Sequence, residues 1–230
     1  MGRAGSRPAA VRPAGPLAYP RSVSRSRKDA GLRREEILRA TVTQIQSQGI
    51  HALRMSDVAE ILSVSPALIV YHFQTKEALI AEAFTWAAQQ DLDHLEKLTA
   101  GLPTAVDRLS TALDWYAPTG RARGWRLWIE GWAAALREPE LRQVGREVDL
   151  RWKESLIAII QDGVHSGEFM TADPRGAAWR ITALLDGLAV QTIVHRGIQN
   201  RDQSAAWARQ FLARELSVDP AALARQPGIR

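Results

Sequence analysis

An all-α fold in two parts, a small N-terminal helical unit followed by a larger one, is the fold class that the sequence predicts. Three observations predict it. Apolar residues recur at helical spacing from Leu32 onward. No apolar–polar alternation of strand type occurs. Residues that open and close helices stand at the ends of the periodic segments.

The elements follow in order. Residues 1–30 are expected to form a disordered arm, because Pro8, Pro13, Pro16 and Pro20 are spread through a stretch rich in Gly, Ser and Arg. A first helix is predicted over Leu32–Gln48, with Ile37, Leu38, Thr41, Val42 and Ile45 on one stripe and Gly49 as its terminator. Ser56 is the expected N-cap of a second, short helix through Val58, Ala59, Ile61 and Leu62. Ser65 then caps a third, with Pro66 at its first position. Only Ser63 and Val64 separate the two, so they must cross rather than run antiparallel, closing a small core from Leu53, Val58, Leu62, Val64, Ile69 and Phe73. Thr75 opens a long helix to about Leu98, and further helices are expected over Pro103–Tyr116, Arg121–Leu136, Pro139–Ser166, Pro174–Gly197 and about Ser204–Leu216. Residues 218–230 are expected to be a flexible tail.

Charge is unevenly placed along the 230 residues. Residues 1–34 carry nine Arg and Lys against Asp29 alone, whereas the whole chain has a net charge of only +5. A basic arm on a mildly acidic body points to a polyanion as the arm's partner. There are no cysteines, which excludes disulfides, thiolate metal sites and a Cys nucleophile. No run approaches the roughly 18 apolar residues of a membrane span, and the Arg-rich start lacks the apolar run of a secretory signal, so a cytoplasmic location is expected. Enzymatic readings find little support. His51, His72, His94, His165 and His195 are scattered, and Asp91-Leu92-Asp93-His94 could supply only half of a bundle di-metal motif. No phosphate-cradling glycine loop occurs. No catalytic residue, metal or cofactor is expected.

The informative segment is Arg54–Phe73. A helix-turn-helix works because its second helix fits the roughly 12 Å wide major groove while the first braces it. Here the second helix would present Ser65, Pro66, Ala67, Leu68, Val70, Tyr71 and His72, and turn Ile69 and Phe73 inward. Ser65 leaves backbone N–H groups free for a phosphate, and Lys76 can reach the same backbone.

Residues 33–80 resemble the DNA-binding domain of the tetracycline-repressor (TetR) family. The resemblance rests on Gly49-Ile50-His51-Ala52-Leu53, Val58-Ala59, Val64-Ser65, Tyr71-His72-Phe73 and Lys76-Glu77-Ala78-Leu79. It implies an N-terminal three-helix helix-turn-helix domain over residues 31–80 and a C-terminal helical ligand-binding and dimerisation domain over residues 81–217. It also implies that Arg54, Ser56, Tyr71, His72 and Lys76 touch phosphates of double-stranded DNA, and that Pro66, Ala67, Leu68 and Val70 face base edges. Two positions depart from the family pattern: Val70 stands where an aromatic residue is common, and Pro66 where a lysine is frequent. Residues 35–80 carry Arg39, Arg54 and Lys76 against Glu35, Glu36, Asp57, Glu60 and Glu77, a weak electrostatic footprint for DNA that the basic arm would compensate.

The rest of the chain is rich in tryptophan. Trp125, Trp128 and Trp132 fall on one helix face, and Trp115, Trp128, Trp132 and Trp152 are the candidate ligand-binding residues. Indoles offer apolar walls with one donor each, and their ring faces attract cations. Ordinary core packing would show the same pattern. The stretch Trp128–Trp132, Pro139, Trp152, Gly163–Phe169 and Leu184–Leu188 is more loosely similar to the choline/betaine-regulator branch of the family. Helices around 148–165 and 174–197 are the expected homodimer interface, with Ala178, Ile181, Leu185, Leu188, Ala189 and Thr192 on one stripe. A core helix within one chain would carry the same stripe.

The function these features imply is a ligand-responsive transcriptional regulator, a repressor that binds a palindromic operator as a homodimer and is released by a small-molecule effector. An activator or corepressor-dependent regulator is the alternative in the same class. A helical small-molecule-binding protein or enzyme with a non-functional helix-turn-helix is the remote one.

Overall fold

The computed structural model describes residues 23–117, 123–195, 197 and 201–223, and every regular element among them is a helix. Ten occur in order: α1 (Val23–Gln48), α2 (Met55–Ile61), α3 (Pro66–Phe73), α4 (Lys76–Thr99), α5 (Ala105–Tyr116), α6 (Arg123–Ala135), α7 (Pro139–His165), α8 (Pro174–Ile193), α9 (Arg201–Leu216) and α10 (Pro220–Leu223). None is long and apolar enough to cross a membrane.

Local chemistry accounts for most boundaries. Gly49, at φ 88°, ends α1 in a left-handed conformation that costs a residue without a Cβ little. The Thr75 and Asp173 side chains accept from Ala78 N at 3.1 Å and Gly176 N at 2.8 Å, capping α4 and α8. Pro139 and Pro174 occupy first-turn positions, where the missing N–H costs nothing.

Three expectations are corrected. First, α1 begins at Val23, inside the segment expected to be a disordered arm. The last proline of the arm is Pro20, so no residue between Val23 and Leu32 forbids a helix. The arm's earlier part, residues 1–22, lies outside the described residues. Second, Ser56 does not cap α2. The N-cap is Arg54, without a side-chain bond, and Ser56 Oγ donates instead to Asp57 Oδ1 at 3.1 Å. Third, the expected flexible tail is anchored over residues 218–223. Leu223 is buried in the C-terminal core, Val218 packs against it, and Ser110 Oγ donates to Leu223 O at 2.7 Å. Val218 and Leu223, two apolar residues past the end of α9, are enough to dock it, a signal too short for periodicity to register.

Two apolar cores form. The N-terminal one joins Ile37, Ile45, Leu53, Val58, Ile69 and Phe73 to the first half of α4. It also takes in Leu127 of α6 and Leu141 of α7, so it crosses the boundary expected at residue 80. The larger core is built from α5, α7, α8 and α9 around Leu109, Leu156, Ile160, Ile181, Leu185 and Leu212. Leu185 and Leu188, expected at a homodimer interface, are buried here within their own chain. The stripe was read correctly as apolar and assigned to the wrong partner. The exposed face of α8 instead carries Trp179, Ala183 and Gly187, at four-residue spacing.

Candidate functional site

All ten residues expected to meet DNA lie at the surface of the head or in its half-buried margin. Pro66 starts α3 after Ser65, whose extended backbone leaves the helix start open with no side-chain cap. Ile69 and Phe73 anchor the inner face in the core, which turns Ala67, Val70 and Tyr71 outward. Tyr71 is 79% exposed, far more than an aromatic ring needs for packing. The turn before α3 passes through Ser63 at φ 54°, a conformation unusual without glycine, which sets the crossing of α2 and α3.

Arg34 holds α3 in place, a role that the sequence reading missed by counting it with the arm. Its guanidinium donates to His72 O at 2.7 Å and to Glu82 of α4, and lies 4.4 Å from the Phe73 ring centroid. It satisfies a carbonyl at the C-terminal end of the recognition helix and ties that end to α4. Arg33 pairs with Glu36 at 2.9 Å. Partial burial, then Arg34 and Arg33, lower the His72 pKa, so its imidazole is neutral at physiological pH. Any phosphate contact from His72 is therefore a neutral hydrogen bond. Lys76 Nζ donates to His51 O at 3.4 Å, beside the head's first loop.

The second candidate site is a cavity of about 530 Å³ walled by α4, α5, α6 and α7. Trp115, Trp128, Trp132 and Trp152, the four expected ligand residues, all line it, together with Trp125 and Tyr116. The rings pack edge to face or stacked: Tyr116 lies on Trp152 at 4.2 Å between centroids and 19° between planes, and meets Trp125 at 4.6 Å. Trp132 is more than a third exposed, at the rim. Gly131 lets α6 approach Phe84, since a Cβ there would fall 2.4 Å from the ring.

Acidic groups join these rings, of which the sequence reading named only Asp91, as part of half a di-metal motif. Asp114 pairs with Arg209 at 3.2 Å, and Lys153 Nζ donates to Asp149. Asp91 has no cationic partner among the described residues; only the Trp128 indole N–H donates to it. Burial raises the Asp91 pKa to about 6 against that bond's opposing pull, so at neutral pH it is an ionised carboxylate in a desolvated, aromatic-walled space. Such a group disfavours its own burial and favours a cation beside it. Just outside the lining, Asp186 accepts from Tyr116 Oη at 3.0 Å, and burial lifts its pKa also to about 6.

Helix α6 joins the two sites. One face carries Trp125, Trp128 and Trp132 to the cavity. From the same helix Glu130 Oε2 accepts from Ile50 N in the head's first loop at 3.3 Å. A change in the cavity that tilts α6 therefore moves a group bonded to the head.

Comparisons with known proteins agree with this layout. Residues 37–83 match the family model for bacterial regulatory proteins of the tetR family, and residues 105–217 match that for the C-terminal domain of BetI-type transcriptional repressors. The HTH-type transcriptional regulator BetI of Serratia proteamaculans is 22% identical over 200 residues, covering 80% of this chain and 93% of that one. A transcriptional regulator of Saccharomonospora viridis, solved in complex with choline, superposes with a TM-score of 0.74 at 25% identity over 81% of this chain and 98% of the other. A TetR-family regulator of Rhodococcus superposes with a TM-score of 0.68 at 27% identity, over 77% and 95%. The chain belongs to the tetR family of bacterial regulatory proteins and is a DNA-binding transcriptional regulator related to the BetI branch, not an enzyme.

Proposed function

We propose that the protein is a cytoplasmic repressor that holds a palindromic operator as a homodimer and releases it when a small organic cation, of the quaternary ammonium class, enters the cavity. The observation that carries this reading is Asp91: an ionised carboxylate without a cationic partner, set among indole rings. Aromatic faces and one buried negative charge are the chemistry that recognises a quaternary ammonium. The choline bound to the similar regulator of Saccharomonospora viridis supports the ligand class.

Residues 31–80 supply the operator contacts: Arg54, Ser56, Ser65, Tyr71, His72 and Lys76 to phosphates, and Pro66, Ala67, Leu68 and Val70 to base edges. Residues 81–217 supply the cavity and the dimer face. Two-fold pairing sets two α3 helices one operator half-site apart. The ligand acts by binding better to the arrangement of heads that does not fit the operator.

Footprinting on DNA flanking the protein's own gene tests the repressor reading. A protected two-fold-symmetric site that opens on adding choline is expected. Protection that requires choline would mean a corepressor-dependent regulator instead.

The head yields a sharper prediction. Tyr71→Ala should leave the unfolding free energy within about 0.5 kcal/mol, as exposed sites do, yet weaken operator and random DNA about equally. Leu68→Ala or Val70→Ala should change the preferred bases instead. Binding measured on a panel of operator variants separates the two patterns, and uniform loss in all three variants would reject the assignment.

Glu130 carries a further one. Glu130→Ala should leave the affinity of the free protein for choline within about two-fold, but reduce the factor by which choline weakens operator binding by roughly five-fold, the lower range of allosteric couplings. Titrations of each ligand with and without the other give that factor. An unchanged factor places the coupling elsewhere.

A further inference from the structure

Only Gln74 and Thr75 join α3 to α4, and the backbone of Gln74 is strained. It stands at φ 61° and ψ −53°. That lies outside the small left-handed basin open to residues with a Cβ, and matches a γ-turn with positive φ at its centre, the rare and strained kind. The turn's own bond is present: Thr75 N donates to Phe73 O at 2.6 Å. The Gln74 side chain is exposed, so its packing does not impose this conformation. The neighbours impose it. Phe73 is buried in the head core, and Arg34 donates to His72 O just before it. On the other side Thr75 caps α4 by accepting from Ala78 N, and Leu79 one turn on is buried. With both flanks pinned, the chain must turn within one residue, and strain of this kind persists only where the surroundings over-determine it.

We infer that Gln74 is a positioning residue for operator reading: its strained backbone is a stiff joint that fixes the tilt of α3 against the rest of the head. The inference rests on α3 as the helix that meets base edges. Base contacts need α3 in one orientation, since each is a directional hydrogen bond or a close apolar fit. Contacts to phosphates are common to all sequences and tolerate a looser helix. Glycine reaches positive φ at no steric cost, but it also opens many other conformations. With glycine at this position the corner would therefore lose its strain and its stiffness together. A gain in stability with a loss of specific binding is the mark of a positioning role; a purely structural residue would show the two falling together.

The test compares Gln74→Gly and Gln74→Ala with the unaltered full-length protein. It reads the thermal midpoint and, by fluorescence anisotropy, the affinity for the footprinted operator and for random DNA of the same length. Gln74→Gly is expected to raise the midpoint by about 2–4 °C, as relief of modest strain does in a chain of this size. It should weaken operator binding about ten-fold and leave random DNA within about two-fold. Gln74→Ala keeps a Cβ, and with it the joint, so it should match the unaltered protein in all three readings. A glycine variant that binds the operator as tightly as the unaltered protein overturns the inference. A lowered midpoint also overturns it, by showing that Gln74 bears no strain. So does an alanine variant that loses operator binding as the glycine variant does, which would give the effect to the side chain. The reading of α3 itself fails separately, if Val70→Ala leaves the preferred bases unchanged.

Discussion

Asp91→Asn weakens choline binding about a hundred-fold while leaving operator affinity in the absence of choline unchanged. The magnitude follows from removing one member of a desolvated charge pair, which costs about 2–5 kcal/mol. The direction follows from Asp91 having no other cation to satisfy among the described residues. A pH dependence accompanies it. The Asp91 pKa stands at about 6 in the free protein, so the carboxylate is ionised above that pH and protonated below it. Bound cation favours the ionised form and lowers that pKa. Affinity is therefore constant above about pH 6 and falls toward about ten-fold per unit as pH drops below it, until the lowered pKa of the complex is reached. Asp186 titrates in the same window, behind Tyr116. Asp114 and Asp149 are held by Arg209 and Lys153, and His94 lies against Trp115 at 5.3 Å. The Asn variant removes the Asp91 share, and any slope that survives belongs to these neighbours. Calorimetry between pH 5 and pH 8 on both proteins, pH values spanning the unit or so on either side of the shifted value, gives the profile. Similar affinity in wild type and variant would show that Asp91 is not the counter-ion.

Ala183→Arg on the exposed face of α8 is expected to abolish the proposed homodimer and to lower operator affinity more than about a hundred-fold, since a bivalent contact would become two independent ones. Trp179 and Trp207 stand 44% and 43% exposed on the adjacent packed helices α8 and α9, an apolar surface that the described residues leave partly uncovered. Two-fold symmetry would repeat the arginine in the partner and bring like charges into an apolar seam. Helical content by circular dichroism stays unchanged, because Ala183 is exposed within the protomer. Leu185→Asp behaves differently. Its side chain is 1% exposed in the core, so an aspartate there unfolds the chain whatever the interface is. Sedimentation reads the difference directly, and an intact dimer of the Ala183→Arg protein would move the interface off α8.

Much of this was legible in the sequence because the signals are local. Gly49, Thr75 and the Asp173-Pro174 pair announce helix ends through their own backbone preferences, and all three stand where those preferences put them. The head's core follows from helical spacing around a two-residue turn. The four tryptophans converge on one cavity although no periodicity links Trp115 and Trp152 to the α6 face. What was not legible depends on distance in the chain. Asp91 reads as one acid among several on α4, and only the approach of α6 makes it an isolated charge. Arg34 looked like part of a basic arm until Glu82 and the His72 carbonyl came within reach. The α8 stripe is apolar on one side because the chain's own α7 and α9 cover it, and a stripe cannot announce which partner it meets. The stability of the head likewise depends on Leu127 and Leu141, which lie far from it in sequence.

One measurement bears most directly on the claim that cation binding in the cavity controls DNA binding by the heads. Fluorescently labelled operator bound to the full-length protein is titrated with choline, and DNA anisotropy is followed together with the intrinsic emission of the cavity tryptophans. Anisotropy falling to that of free DNA over the concentration range in which tryptophan emission changes is the predicted result, with Asp91→Asn shifting both curves together. Tryptophan emission that saturates while the operator stays bound would contradict it.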